Sequence, residues 1–272
     1  MLLAMLSGFV ATWVMRNVAR RLNIVNHPNP IVPQHQVAVA YLGGVGIALG
    51  AAGTILIQQL VSAAPQLVFP QAASVLTGAV FFLILGVADD LRAFKPSTKF
   101  LLQCVVAIGT VLTGLTLPLT GVSIIDWAIT AVWMLTLVNA VNFTDVCDGL
   151  VGGLSAIAFF SLAVLNPSSY TVWLALSGAC LGFLVWNSPP ASIFLGDAGT
   201  HFAGFLLAVG TIQLIQNHML WPGRGSALLV ASVPLFELIF ITAVRIRKGL
   251  PWWRGSPDHF SLRLQAAGFS IF

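Results

Sequence analysis

Apolar residues fill this chain in runs long enough to cross a bilayer as helices, and nothing else in it constrains the fold so strongly. Nine such runs can be read, at about 2–19, 37–60, 68–88, 98–117, 124–141, 150–166, 171–187, 200–217 and 226–245. A hydrocarbon core about 30 Å thick takes about 20 helical residues. Backbone out of contact with water must satisfy its own hydrogen bonds, so helices are the expected spanning element. Turn-rich gaps, such as His27-Pro28-Asn29-Pro30 and Asn187-Ser188-Pro189-Pro190, separate the runs. Only 7% of the 272 residues are charged, against about 25% in a soluble domain. The expectation is an all-α polytopic transmembrane helix bundle of about nine spans, forming one integral-membrane domain over 1–272. A net charge of +4 without a basic stripe excludes a nucleic-acid partner.

Lys and Arg set the orientation. Arg16, Arg20 and Arg21 follow the first run, whereas a signal peptide carries its basic residues before the apolar stretch. The first run therefore reads as a retained span. Arg92, Lys95 and Lys99 follow the third run, and Arg245, Arg247, Lys248, Arg254 and Arg263 follow the ninth. With alternating gaps these all share one side, and Arg224 alone lies opposite. The N-terminus is expected outside and the C-terminal tail in the cytoplasm. The cytoplasmic loops are then about 20–36, 89–98, 142–150, 188–199 and 246–272.

The chain has eight acidic residues. Asp89, Asp90, Asp145, Asp148, Asp197 and Asp258 all fall in the cytoplasmic gaps, while Asp126 lies outside and Glu237 lies within the ninth run. Asp89 and Asp90 are adjacent, and their repulsion calls for a counter-charge. It could come from Arg92 and Lys95 at an ordinary solvated helix end, or from a bound cation. In Asn139-Ala140-Val141-Asn142-Phe143-Thr144-Asp145-Val146-Cys147-Asp148, a helix would place Asn139, Asn142, Asp145 and Asp148 on one stripe. Such a stripe either bonds helices together or faces a wet cavity. Asp197 sits between Gly196 and, two residues on, Gly199. That pattern is either a turn with an Asp cap or a helix start whose amides are open to phosphate. The basic tail, through Arg245, Arg247, Lys248, Asp258 and His259, reads as lipid anchoring or as pyrophosphate recognition. His27, His35, His201 and His218 receive no catalytic role. Cys104, Cys147 and Cys180 lack metal spacing and read as small buried residues. Carboxylates gathered on one membrane face beside basic groups suit a hard divalent cation and phosphoryl transfer.

Taken in order, Asp89-Asp90, the Asn142/Asp145/Asp148-Gly149-Leu150 segment, Gly196-Asp197-Ala198-Gly199 and a His-bearing tail resemble the polyprenyl-phosphate N-acetylhexosamine-1-phosphate transferases. That superfamily, glycosyltransferase family 4, includes the bacterial enzyme that starts O-antigen and enterobacterial common antigen on undecaprenyl phosphate. It also includes the phospho-MurNAc-pentapeptide translocase. The likeness runs from about Asn26 to Phe269, and Tyr41-Leu42-Gly43-Gly44 resembles the family's second-span opening. The resemblance implies that Asp89, Asp90, Asp145 and Asp148 are catalytic, with Asp90 favoured as base for the lipid phosphate. It implies Asp197, Asp148 and Asn142 as ligands of Mg²⁺, which Mn²⁺ could replace. It also implies Lys99, Asn139, Asn142, His259, Arg245, Arg247 and Lys248 as substrate-binding. Val146 stands where the family has Gly, Ser261 and Leu262 replace two histidines of the tail's HxHH, Asn26 stands where Asp is common, and Ile31-Val32 where basic residues are common. The family has at least one more span after this tail, and it is expected either to be absent here or to lie beyond Phe272. The implied reaction moves a sugar-1-phosphate, taken as HexNAc-1-phosphate, from a UDP-sugar to polyprenyl phosphate in the bacterial inner membrane, and it is compatible with a homodimer. The alternatives are a non-catalytic or truncated homologue that binds lipid or partners, and an ion-coupled transporter. Carboxylates at span ends rather than at the midplane disfavour the transporter. A CDP-alcohol phosphatidyltransferase is set aside because Asp148-Gly149 is followed by Leu150-Val151-Gly152.

Overall fold

A computed structural model describes residues 1–26, 38–61, 71–217, 221–251 and 257–269. His27, His35, His218, Arg254 and positions 31–32 lie outside the described residues. The chain forms helices α1 (Leu2–Arg21), α2 (Gly43–Val61), α3 (Ala72–Arg92), α4 (Pro96–Leu112), α5 (Ser123–Thr144), α6 (Leu150–Leu165), α7 (Tyr170–Asn187), α8 (Gly196–Asn217), α9 (Trp221–Val230), α10 (Ser232–Arg247) and α11 (Phe260–Ala266). Two short strands, β1 (Val25–Asn26) and β2 (Val39–Ala40), pair antiparallel with Val25 opposite Ala40.

Among the described residues, six helices are long and apolar enough to cross a membrane: α1, α2, α3, α5, α8, and α7 with the turn before it. The bent pair α9–α10 adds a seventh if taken as one span, and α4 and α6 are apolar but shorter. The protein is thus an all-α, multi-pass membrane protein, with helices where each of the nine apolar runs was read. The pattern carries because lipid demands apolar side chains and self-satisfied backbone together.

The boundaries differ in ways that matter for the site. The third run continues through Arg92, so Asp89 and Asp90 lie in the last turn of α3 rather than in a gap. Ala93, in the left-handed region at φ 47°, then closes that helix. The eighth run begins at Gly196, which puts Asp197 in the first turn of α8. The ninth run is broken by 66° at Ala231. Pro234 has no N–H to offer the Val230 carbonyl, and its ring crowds that carbonyl, so one straight helix cannot continue there. The tail adds α11, which the periodicity did not announce.

α8 is the hub. It packs on α2, α3, α5, α6 and α9, and its spanning window is wholly buried. α1, α2 and α7 form a second packed group beside it. The start of α8 is gripped by backbone. A side chain on Gly44 of α2 would overlap the Gly199 backbone, and one on Gly86 of α3 would overlap Asp197 and Ala198. A strap on the same end completes the grip. Phe194 N–H donates to the Ala40 carbonyl at 2.8 Å, and Gly43 and Gly44 donate to Phe194 and Leu195 at 3.0 and 2.9 Å.

Candidate functional site

The end of α3, the start of α4, the end of α5 and the start of α8 converge on one end of the bundle. Pro96 at the first turn of α4 supplies fixed φ where no intrahelical donor is needed, and it aims Lys99 inward. The Lys99 ammonium lies 2.8 Å from Asp89 Oδ2 and 2.9 Å from Asp197 Oδ2. The other Asp197 oxygen accepts from Asn142 Nδ2 at 2.5 Å, and Asn142 also donates to Thr200 Oγ1 at 3.0 Å. The α3–α4 corner, α5 and α8 are thereby tied through one cation and one carboxylate. A cavity of about 390 Å³ opens beside them, lined by Tyr41, Asp89, Asp90, Lys99, Asn142 and Asp197, with Asn139 and three phenylalanines also on its wall.

The carboxylates have distinct surroundings. Asp89 is buried and its Oδ1 also accepts the Phe94 amide at 2.7 Å. Asp90 accepts the Asp197 and Ala198 amides at 2.8 and 3.1 Å. It therefore caps α8 from another helix, and these are the amides expected to be open to phosphate. Gly196, at φ 73°, leaves room for that approach, since a Cβ there would press on the Asp90 carboxylate. Asp148 Oδ2 accepts the Ala191 amide at 2.9 Å and ties down the segment before α8. The Asp145 amide donates to the Asn142 carbonyl at 3.3 Å, and its carboxylate has no hydrogen bond among the described residues. Burial, followed by the carboxylates of Asp197, Asp90 and Asp148, pushes its pKa up to about 8.

The expected four-residue polar stripe is only half helical. α5 ends at Thr144, and Asp145, at φ −80° and ψ 70°, leaves the helix. Asn139 and Asn142 share its face, whereas Asp145 and Asp148 lie in the turn before α6, which starts after Gly149 at φ 75°.

The tail residues divide. His259 is buried, with Nδ1 2.8 Å from Glu237 Oε1, and the Phe260 amide donates to the same oxygen at 3.2 Å. Arg245 is buried with its guanidinium 5.1 Å above the Phe143 ring, which lines the cavity. Arg247 is exposed at the end of α10. Lys248 pairs with Asp258 Oδ1 at 2.6 Å, and Arg263 reaches the same oxygen at 3.2 Å. Ser261, standing where the family has His, accepts from the Cys147 thiol at 3.4 Å, and Gln265 donates to that sulfur at 3.3 Å. Thus α11 rests on the turn that carries Asp145 and Asp148.

Tyr41, Gln103, Thr200, His201 and Glu237 were not among the expected site residues. Tyr41 lines the cavity, and burial, then Asp90, Asp197, Asp145 and Asp89, raise its phenol well above the ordinary value. Its position just before Gly43-Gly44 was the available signal.

A family model described as Glycosyl transferase family 4 matches residues 72–215. The chain belongs to that family. The matched segment holds the whole acid–lysine cluster, with Tyr41 and the tail outside it. Across 99% of this chain and 77% of the relative, it is 31% identical to a decaprenyl-phosphate N-acetylglucosaminephosphotransferase of Mycobacterium leprae (strain TN). The Mycobacterium tuberculosis (strain H37Rv) protein of the same description is 29% identical over 99% of this chain and 76% of its own length. An undecaprenyl-phosphate alpha-N-acetylglucosaminyl 1-phosphate transferase of Escherichia coli (strain K12) is 26% identical over 94% of this chain and 72% of the relative. As a glycosyl transferase family 4 member, the chain is a membrane phosphotransferase.

Proposed function

We propose that this protein transfers a sugar-1-phosphate, an N-acetylhexosamine-1-phosphate, from a UDP-sugar to a polyprenyl phosphate. The products are a polyprenyl-pyrophosphate sugar and UMP, and the step initiates a cell-envelope glycan. The observation that carries this reading is the Lys99 ammonium held between Asp89 and Asp197 beside Asn142, at a cavity in an otherwise apolar bundle. The relatives' descriptions, all polyprenyl-phosphate acceptors and sugar-phosphate transfer, support it.

The donor set fits Mg²⁺, with Mn²⁺ as a substitute. Asp89, Asp90, Asp145, Asp148 and Asp197 gather at one end with Lys99 as the cation seated among them, and burial together with the charges of Asp197, Asp90 and Asp148 opposes ionisation of Asp145. Carboxylates so placed lack positive charge. Among the described residues, no three His, Cys, Asp or Glu side chains are placed to hold a metal ion by themselves, so a cation here would need substrate phosphates and water as further ligands. That suits Mg²⁺, which takes one or two carboxylates together with waters and substrate phosphates. Asp197 and Asp145 would hold it, with Asn142 fixing Asp197. When bound, it neutralises the donor pyrophosphate and the charge that develops in transfer.

The residues of the chain do the rest by position and charge. An oxygen of the lipid phosphate attacks the phosphorus that bears the sugar, and the bond to UMP breaks. Lys99 offers its ammonium to the phosphates, and Tyr41, held protonated, donates a hydrogen bond. Asp90, with both oxygens on α8 amides, aims Asp197; this geometry does not favour it as the base. A second, apolar cavity of about 250 Å³ between α5, α6, α8 and the α9–α10 break is chemically suited to an isoprenoid chain. Arg16, Arg20, Arg21, Arg92, Arg245, Arg247 and Lys248 sit at helix ends toward the site. They favour nine crossings with the N-terminus outside and the site facing the cytoplasm of a bacterial inner membrane.

The test uses membranes containing the protein, labelled UDP-GlcNAc, undecaprenyl phosphate and Mg²⁺. Organic-extractable label should appear, and Asp197→Asn or Lys99→Met should abolish it. Failure to transfer from every member of a panel of UDP-HexNAc donors would sink the reading and favour a non-catalytic homologue.

A further inference from the structure

One helical turn from the cluster, deeper in the bundle, lies a second polar layer. Lys99, Asn142 and Asp197 come from α4, α5 and α8. Four residues beyond Lys99 is Gln103, three before Asn142 is Asn139, and four beyond Asp197 is His201. Those spacings put each pair on one face of its helix. The three deeper side chains are bonded to one another across the same three helices. Asn139 Nδ2 donates to Gln103 Oε1 at 2.9 Å, and Gln103 Nε2 lies 2.7 Å from His201 Nε2. His201 Nδ1 lies 2.5 Å from the carbonyl of Asp197 itself. Gln103 and His201 are wholly inaccessible to solvent.

The partners fix the protons. A carbonyl can only accept, so His201 carries its proton on Nδ1 and donates it to Asp197. Its Nε2 then accepts from the Gln103 amide, whose oxygen is turned toward Asn139. Asn139 spends its second N–H on the Leu135 carbonyl at 2.8 Å. The layer therefore reads in one direction only, from Asn139 through Gln103 and His201 to the Asp197 backbone. A slip of one residue along a helix would rotate it by about 100° and move it about 1.5 Å; on α4 that breaks both Gln103 bonds, and on α5 or α8 it breaks one, in a place without water.

We propose that Gln103, Asn139 and His201 are positioning residues, a hydrogen-bonded layer that sets the register at which Lys99, Asn142 and Asp197 meet around the phosphates and divalent cation. The inference rests on the phosphotransfer reading above and adds how the three helices are locked to serve it. Polar groups between membrane helices often act only as adhesive. An adhesive layer would change stability and leave the site alone, whereas a register layer acts on the site even when stability is kept.

The test compares the purified wild-type protein with the triple variant Gln103→Leu/Asn139→Leu/His201→Phe, which removes all three groups together and strands none. The single variant Gln103→Met runs in parallel, in case the triple does not fold. Three quantities are read: melting temperature without metal, Mn²⁺ affinity by electron paramagnetic resonance, and kcat and KM per folded molecule. The expected result in whichever variant folds is a fall in kcat of tenfold or more, a donor KM changed less than threefold and Mn²⁺ affinity weakened at least fivefold, with no such effect explained by the folded fraction. Wild-type kcat and Mn²⁺ affinity per folded molecule would show the layer to be adhesive and overturn the inference. If the wild-type protein binds Mn²⁺ but transfers nothing, the phosphotransfer reading fails while the Mn²⁺ shift still decides the layer. A wild-type protein that binds no Mn²⁺ and transfers nothing overturns both.

Discussion

Asp145 and Tyr41 are the side chains of the cluster whose behaviour is least ordinary. Asp145 titrates at about 8 because burial and three carboxylates oppose its charge. The sign follows from linkage. Its pKa when folded lies above the ordinary carboxylate value, so the metal-free fold binds the extra proton between about pH 4 and 8. Stability from this group is full below that window and is lost as pH rises through it. A divalent cation reverses the preference. Adding Mg²⁺ near pH 7 in weakly buffered detergent should release protons, and Asp145→Asn should suppress most of that release; equal release from the variant would assign the proton elsewhere. Tyr41→Phe should lower kcat by about 10- to 100-fold, the worth of one hydrogen bond to a charged group, about 1.5–3 kcal/mol. The fold should be untouched, since Tyr41 lines the cavity, and unchanged circular dichroism would check it.

At the scale of elements, the tail is fastened by a buried clasp. Glu237 on α10 takes both His259 Nδ1 and the Phe260 amide, and the Asp258 contacts to Lys248 and Arg263 sit nearer solvent. Exposed pairs of that kind hold little, whereas stranding a buried partner costs about 1–3 kcal/mol. Glu237→Ala should therefore free α11 and speed tryptic cleavage near Arg263 several-fold, while Lys248→Ala should change it little. Equal rates in the two variants would show that the clasp does not govern the tail. Neither the clasp nor the broken ninth run was legible in the sequence. Glu237 stood out only as an acid in an apolar run, and its partner lies beyond the tail loop. The runs themselves were legible because lipid imposes their composition. Asp89, Asp90, Asn142 and Asp197 were legible because a carboxylate or a carboxamide at a span end is costly and rarely idle. What each carboxylate does was not, since Asp90 capping α8 and Asp148 tying Ala191 depend on contacts across more than 40 residues.

For the whole molecule, orientation is the property most open to measurement. With the native cysteines replaced, a cysteine at Arg247 should react with an impermeant thiol reagent only in inside-out vesicles, and one at Thr120 only in right-side-out cells. The reverse pattern would invert the bundle. The hub helix carries a different consequence, for biogenesis. α8 brings Thr200, His201, Thr211 and Gln213, all buried, into the membrane, and such groups are poorly tolerated by acyl chains. Among the described residues, its partners α2, α3, α5 and α6 precede it in the chain and α9 follows. The preceding partners are made first, and packing among them shields the polar side chains of α8 from acyl chains. The order in which the ribosome delivers these helices thus lets the hub close onto partners that are already made.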